Sequence, residues 1–165
     1  MAGREFSGFD YSKKNLFSGA SMILVPHDCT DISFLETLKK IWVSIGFTNI
    51  QITTAKEHDR MIAFTSQLAH VVSSAYIKSP TATNHRGFSA GSYKDMTRVA
   101  KLNEKMWTEL FLSNRESLTE EIDNLIERLT EYSEAIKKGE EEKLCTLLRE
   151  GKEAKITAEK RGQRS

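Results

Sequence analysis

The hydrophobic pattern of the chain changes at residue 54, and this change limits the folds that the chain can adopt. Before it, two short apolar segments, 21–25 and 49–53, have the length and alternation of strands. Between them, apolar residues at helical spacing predict an amphipathic helix that is closed by Gly46. Two strands and one helix do not make a stable sheet by themselves. We therefore interpret residues 1–53 as the end of an α/β domain whose other strands this segment lacks.

Residues 54–165 have helical periodicity almost throughout. Thr54 has the spacing of a capping box, and the helix that it opens is apolar on most of its faces, which is typical of a buried central helix. Ser113 begins a second capping box, and behind it apolar residues at spacings of four and three form a heptad-like seam over 118–136. The expected helices are, in order, 54–78, 94–101, 103–112, 113–136 and one within 137–165.

Composition and charge exclude several classes of function. Twenty-four Lys and Arg residues face 23 Asp and Glu residues, so the net charge is +1, which argues against nucleic-acid binding. No apolar run reaches the roughly 18–20 residues that cross a membrane, and the amino terminus does not resemble a signal peptide. Cys29, Cys145 and the four histidines have neither zinc-site nor disulfide-framework spacing. We expect a cytoplasmic protein with reduced thiols and no metal.

The sequence contains no phosphate cradle for a nucleotide. The pattern Gly-x-Gly-x-x-Gly is absent. Gly3 and Gly8 have the spacing of the outer glycines of a P-loop, but Phe9-Asp10 stands where that motif requires Lys-Ser/Thr. We therefore expect this chain alone to bind no dinucleotide.

Three polar residues interrupt the apolar helix that follows residue 54. Ser66 and His70 are four residues apart and share a helical face, with Gln67 beside them. Such side chains are costly to bury without partners. From spacing alone, a core histidine satisfied by a backbone carbonyl explains His70 somewhat better than contact with a ligand, and both interpretations stay open.

A glycine followed by a short helix, Gly91-Ser-Tyr-Lys-Asp-Met-Thr-Arg98, is the next candidate. Asp95 and Arg98 are three residues apart, so they could form an ordinary helical ion pair. Alternatively, the planar guanidinium of Arg98 could hold a substrate carboxylate, a task that lysine fills less well. We interpret Trp107 as core packing.

Taken together and in order, these segments resemble prephenate dehydrogenases over roughly residues 1–136. The matching segments are Met1-Ala-Gly-Arg-Glu5 with Gly8, Leu16-Phe17 with Gly19, Leu24-Val25-Pro26, His58-Asp59, Ser66-Gln67-Leu68-Ala69-His70, Lys94-Asp95-Met96-Thr97-Arg98-Val99-Ala100 and Met106-Trp107.

The resemblance implies a fold and an activity. In that family a Rossmann-like domain binds NAD or NADP, and a helical domain supplies the dimer interface and part of the substrate pocket. The implied fold is mainly α: residues 1–53 are the remnant of the nucleotide-binding domain, and 54–165 are a helical dimerisation domain of the prephenate and 6-phosphogluconate dehydrogenase type. The implied reaction is the NAD(P)-dependent oxidative decarboxylation of prephenate to 4-hydroxyphenylpyruvate in tyrosine biosynthesis, performed by a homodimer.

The resemblance also assigns roles to individual residues. His70 corresponds to a histidine that contacts prephenate, and Arg98 to an arginine that holds a substrate carboxylate. The backbone of Gly91 lines the pocket, to which Ser66 and Gln67 also belong. Glu5 corresponds to the acidic residue at the mouth of the site, and Asp95 to a member of its ion-pair network.

Departures from the family pattern define what we expect of this chain by itself. Relatives have His-Pro just before the segment matching Met1-Ala-Gly, and that histidine is the catalytic base. We therefore expect no catalytic residue, no bound cofactor and no activity in this chain alone. Gln67 stands where many relatives have histidine, so prephenate and arogenate both remain possible substrates. A stand-alone helical dimerisation or binding module is the rival hypothesis.

Overall fold

The computed structural model describes residues 8–27, 31–88 and 90–162, so the predictions made for Glu5 and Cys29 lie outside the described residues. The chain is organised as two compact units, Met1–Thr119 and Glu120–Ser165. The elements are β1 (Ser21–Leu24), α1 (Ile32–Ser44), β2 (Asn49–Ile52), α2 (Ala55–Ile62), a π-helix (Ala63–Gln67), α3 (Leu68–Tyr76), α4 (Gly91–Thr97), α5 (Glu104–Ser113), α6 (Arg115–Lys138) and α7 (Glu141–Gly162), with 3₁₀ turns at Phe9–Tyr11, Pro80–Asn84 and Arg98–Ala100.

The predicted strand–helix–strand segment is confirmed. β1 and β2 pair in parallel, with Ser21 opposite Asn49, and α1 connects them. The turn after α1 buries Phe47, whose ring stacks on Phe17 at a centroid distance of 4.8 Å. Gly46 has a φ of 111°, a left-handed conformation that suits the predicted helix end because glycine has no Cβ.

Asp31 caps α1. Its carboxylate accepts hydrogen bonds from the backbone N–H of Ser33 at 2.9 Å and from the Ser33 hydroxyl at 2.8 Å. These two bonds favour the ionised form and lower the pKa of Asp31, the backbone bond having the larger effect.

The single helix predicted over 54–78 is interrupted. α2 and α3 are separated by the π-helix, in which Leu68 N–H donates to the Ala63 carbonyl five residues earlier. The capping box forms only in part: the Thr54 hydroxyl accepts from Glu57 N–H at 3.2 Å, but the Glu57 carboxylate pairs with Arg60 instead. This pairing lowers the pKa of Glu57.

The prediction that this helical segment is buried on most of its faces is wrong for the chain taken alone. The side chains that are buried are mainly small or polar, among them Ala63, Gln67 and Ser73. Phe64 is 59% exposed, and Met61 and Tyr76 are also exposed. The reason is that the elements that contact α3 within this unit, among them α4, the 3₁₀ turn at Arg98–Ala100 and α5, cover only part of its surface.

The helices after residue 90 differ from the predictions mainly at their ends. The helix predicted over 94–101 begins at Gly91 and tightens into a 3₁₀ turn at Arg98. Asn103 caps α5, because its side-chain oxygen accepts from Met106 N–H at 3.1 Å. The prediction that Ser113 caps the next helix is wrong. Ser113 is the last residue of α5, and its hydroxyl donates to the Leu110 carbonyl at 2.9 Å.

The second unit contains most of α6 together with α7. Gly139, whose φ is 66°, follows the last residue of α6, and Glu140 N–H donates to the Ala135 carbonyl at 2.9 Å. The Tyr132 hydroxyl donates to the Leu147 carbonyl at 3.0 Å and so links the two helices. Apolar side chains remain exposed along both helices, namely Ile126, Leu129, Ile136, Leu148 and Ile156.

The described residues contain neither a membrane span nor a cluster of metal ligands. None of the helices there combines the length and the apolar character that crossing a bilayer requires. Within the same ranges, His, Cys, Asp and Glu side chains nowhere gather in a group of three that could hold a metal ion. Cys145 is an exposed free thiol.

Candidate functional site

His70 lies on α3, and one hydrogen bond fixes its tautomer. Its Nδ1 is 2.8 Å from the backbone carbonyl oxygen of Ser66. A carbonyl oxygen can only accept, so Nδ1 carries a proton, and of the two neutral tautomers only the one with its lone pair on Nε2 fits this bond. The backbone carbonyl partner that the sequence allowed is therefore present. It occupies only one of the two ring nitrogens.

The His70 ring is also held by Trp107 of α5. The two rings stack with their centroids 3.8 Å apart and an angle of 27° between their planes. Phe111, one turn further along α5, extends this cluster because its ring lies 5.4 Å from the Trp107 ring. The interpretation of Trp107 as core packing missed the stack on His70, because the pairing depends on how two distant helices pack.

Gln67 is the buried member of an amide network. Its side chain is 4% exposed, and its Nε2 donates to the Leu110 carbonyl at 3.0 Å. Its Oε1 accepts from Asn114 Nδ2 at 2.8 Å, and the same Asn114 nitrogen donates to the Asp59 carbonyl at 2.8 Å. The network therefore joins α2, the π-helix and the end of α5. The sequence did not predict the part played by Asn114, which carries no signal beyond a polar residue between two helices.

Arg98 lies on an element that packs directly against the helix of His70. The 3₁₀ turn at Arg98–Ala100 contacts α3, and α4, which precedes it, contacts α3 as well. Arg98 is exposed. Asp95 is also exposed and lies on α4, three residues before Arg98. The ion-pair role assigned to Asp95 stays a prediction.

Gly91 is the first residue of α4, and the space beside it is open. A Cβ built on Gly91 meets no atom outside its immediate chain neighbours within 4 Å, and its φ is not in the left-handed region. Within the described residues, neither backbone conformation nor packing therefore requires glycine here. A requirement for glycine would have to come from a molecule that approaches the backbone.

The side-chain types of Arg98 and His70 suit an anion, whereas the described strands are not followed by a glycine-rich turn that opens a helix. A permanently charged guanidinium and an imidazole with a fixed tautomer are suited to orienting carboxylates and hydroxyls. In contrast, β1 is followed by Val25-Pro26 rather than a glycine-rich turn opening a helix, and the sheet has two strands in the described ranges. These residues by themselves do not fit NAD.

Two family models match successive parts of the chain. The family model described as "Prephenate dehydrogenase, nucleotide-binding domain" matches residues 1–51, and the one described as "Prephenate dehydrogenase, dimerization domain" matches residues 54–150. The fold is therefore that of a two-part dehydrogenase, in which the end of a nucleotide-binding domain precedes a helical domain. The chain belongs to the prephenate dehydrogenase family.

Individual relatives give the same result. The chain is 30% identical over 163 residues to the cyclohexadienyl dehydrogenase of Zymomonas mobilis, covering 94% of this chain and 55% of the relative. It is 25% identical to the prephenate dehydrogenase of Bacillus subtilis, over 93% of this chain and 42% of the relative. The chain thus spans about half the length of the curated relatives that it matches.

A solved structure with a similar fold is the prephenate dehydrogenase of Aquifex aeolicus in complex with hydroxyphenyl propionate and NAD+. Its TM-score to this chain is 0.81 at 30% sequence identity. The alignment covers 96% of this chain and 57% of that structure.

Proposed function

We propose that the chain is the substrate-binding and dimerisation part of an enzyme that oxidatively decarboxylates prephenate to 4-hydroxyphenylpyruvate with NAD or NADP. The observation that carries the proposal is the His70 site. Its imidazole is fixed by the Ser66 carbonyl and by Trp107, on a helix packed against the turn that contains Arg98. The Aquifex aeolicus relative was solved with NAD+ and an aromatic carboxylate, which supports this assignment.

In this proposal the role of the chain is to orient the substrate. Prephenate is a dicarboxylate with a ring hydroxyl, so Arg98 holds one carboxylate by charge-assisted hydrogen bonds. His70 offers Nε2 to a polar substrate atom, and the backbone of Gly91 and Ser66 of the π-helix form adjacent parts of the pocket. Fixing the substrate in this way lowers the entropic cost of reaching the transition state.

The nucleotide and the base come from other residues. The sequence of residues 1–165 has no dinucleotide cradle, and the apolar side chains of α1, including Ile32 and Phe34, are exposed beside a two-stranded sheet. Parallel sheets are normally covered on both faces. We therefore propose that the remainder of a nucleotide-binding domain packs on this surface, and that residues 1–165 alone are inactive.

Activity measurements test these statements. Purified residues 1–165 are expected to give no absorbance change at 340 nm with prephenate and NAD or NADP. A fusion of the amino-terminal half of the Zymomonas mobilis relative to Met1 adds a candidate nucleotide-binding portion, and we expect this fusion to turn over prephenate. Turnover by residues 1–165 alone would contradict the proposal that the nucleotide and the base come from other residues. A fusion that folds but is inactive would contradict the proposed prephenate dehydrogenase function.

Arg98→Ala in the active fusion tests the carboxylate contact. We expect binding of the substrate to weaken by about 2–3 kcal/mol, or roughly 30–150-fold, because a buried substrate carboxylate loses its charged partner. The control is Lys94→Ala, which removes an exposed cation from the preceding turn. An unchanged KM in Arg98→Ala would refute the role of Arg98.

A second candidate differs only in the substrate side chain. The Zymomonas mobilis relative is named for cyclohexadienyl substrates rather than for prephenate alone, and arogenate belongs to that class. Arogenate replaces the keto group of the prephenate side chain by an ammonium group. The ratio of kcat/KM for prephenate and arogenate in the fusion decides between the two.

A further inference from the structure

Two neighbouring cross-links join the segment that contains His70 to α5. One is the ring stack of His70 on Trp107, and the other is the hydrogen bond from Gln67 to the Leu110 carbonyl. Gln67 is three residues before His70, whereas Leu110 is three residues after Trp107. The two segments therefore run antiparallel, and the cross-links are about one helical turn apart.

The amide network around Gln67 pairs both ends of its side-chain amide. The oxygen of Gln67 accepts from Asn114, its nitrogen donates to Leu110, and Asn114 also donates to the Asp59 carbonyl. Gln67 is the buried member of this network, and its partners lie on or beside another helix. This favours one arrangement of the two helices, because a shift would leave the buried Gln67 amide without its partners.

The network lies at the end of the π-helix. π-helical turns are rare and occur mostly as single turns within α-helices, often at functional sites. A return to α-helical pitch would change the register by one residue and rotate the following helix by about 100°. Because His70 lies two residues after Leu68, whose N–H closes the π turn, such a rotation would move its ring away from α5.

We propose that Gln67 and Asn114 are positioning residues. Their amide network fixes the π-helix against α5, and this keeps the His70 ring on Trp107 with Nε2 as the nitrogen that meets the substrate. Gln67 acts from behind the site rather than by touching the substrate. Only the last step, the presentation of Nε2 to a substrate, rests on the proposed function; the geometry of the two rings does not.

NMR spectroscopy of residues 1–165 tests the ring geometry without any substrate. A histidine ring 3.8 Å from an indole has carbon-bound protons that are shifted upfield by the indole ring current. The variants are Asn114→Ala and Gln67→Leu. The matched control is Thr65→Val, which removes an exposed hydrogen bond to the Met61 carbonyl in the same segment but changes no member of the network. The signal of His70 is assigned by its loss in His70→Gln.

We expect wild type and Thr65→Val to show the upfield shift, with ¹⁵N shifts of the Nδ1–H tautomer. Asn114→Ala and Gln67→Leu are expected to lose most of the upfield shift while circular dichroism shows retained helix. Asn114 is only partly buried, so its alanine variant keeps the test valid if Gln67→Leu does not fold. Variants that are less stable but keep the wild-type His70 shift would overturn the proposal.

Prephenate titrations of the active fusion separate this proposal from the proposed function. Asn114→Ala is expected to weaken prephenate binding about tenfold, the equivalent of about 1.4 kcal/mol, and Thr65→Val to leave it unchanged. Normal prephenate binding in a variant that has lost the ring stack would refute the positioning role. If wild type itself binds no prephenate but the ring shift responds as expected, the proposed function fails and the positioning of His70 stands.

Discussion

Gly91 offers a sharp test at the scale of single residues, because nothing in the described part of the chain requires glycine at that position. Its φ is ordinary and an added Cβ meets open space. We expect Gly91→Ala to leave the free energy of unfolding unchanged or to raise it slightly, since alanine is the better helix former by about 1 kcal/mol.

Substrate binding should nevertheless suffer in Gly91→Ala. If the backbone of Gly91 lines the pocket, a methyl group there enters the space of the ligand, and we expect KM for prephenate in the active fusion to rise at least about tenfold, or roughly 1.4 kcal/mol. Ser92→Ala is the control on the same helical turn. A stable Gly91→Ala enzyme with wild-type KM would remove Gly91 from the site.

At this scale the sequence indicates which residues are candidates for the site but not which contacts they make. His70 can be chosen because a polar residue on an apolar helix needs a partner, and the Ser66 carbonyl four residues earlier is a local partner. The stack with Trp107 cannot be derived, since 37 positions separate the two rings and only the packing of α5 brings them together. Asn114 escapes prediction for the same reason.

Among the elements, the amino terminus of α1 should respond to acid. Hydrogen bonds from Ser33 hold the pKa of Asp31 below its ordinary value. A lowered pKa means that ionised Asp31 stabilises the folded helix end above the unfolded pKa of about 3.9, and that this contribution is lost as the pH falls through the lower folded value.

The Ser33 amide resonance reports this transition directly. We expect its NMR shift to titrate at a pH below about 3.9 in wild type. Asp31→Asn keeps an acceptor without an ionisable group, so its Ser33 shift should stay flat over the same range. A wild-type titration above the ordinary value for aspartate would contradict the cap.

Element ends are predictable where a local side chain determines them. Asp31, Asn103 and Gly46 can be identified as caps because each acts within three residues of its own position. The π-helix is not predictable in this way, since its five residues, AFTSQ, show no helix breaker. Its stabilising partners, Leu110 and Asn114, come from a region more than forty residues further along the chain.

At the scale of the whole molecule, the sequence predicts that two strands and one helix leave much of the α/β segment uncovered. Within the described residues the sheet has two strands, and apolar side chains of α1 are exposed as expected. Burial of the long apolar helix is predicted wrongly, because periodicity shows that a face is apolar but not which molecule covers it. Phe64 and Met61 are apolar and exposed.

An exposed apolar face on α6 in the second unit is the main structural reason to expect contact with a second copy of the chain. Leu129 is 57% exposed and Ile136 is 63% exposed, and they are seven residues apart on one face of α6. Apolar side chains in such a heptad register pack against another helix. The family description of residues 54–150 as a dimerization domain identifies the class of partner, so we expect these residues to meet in a symmetric pair.

Light scattering on residues 1–165 is therefore expected to give twice 18.7 kDa, or 37.4 kDa. Leu129→Glu should raise the dimer dissociation constant by about tenfold or more, because a symmetric interface contains the buried carboxylate twice. Thr130→Glu adds the same charge at the next position and should leave the mass at twice 18.7 kDa if only the Leu129 face is covered. A wild-type chain that remains at 18.7 kDa up to millimolar concentration would mean that this face is not the dimer interface of residues 1–165.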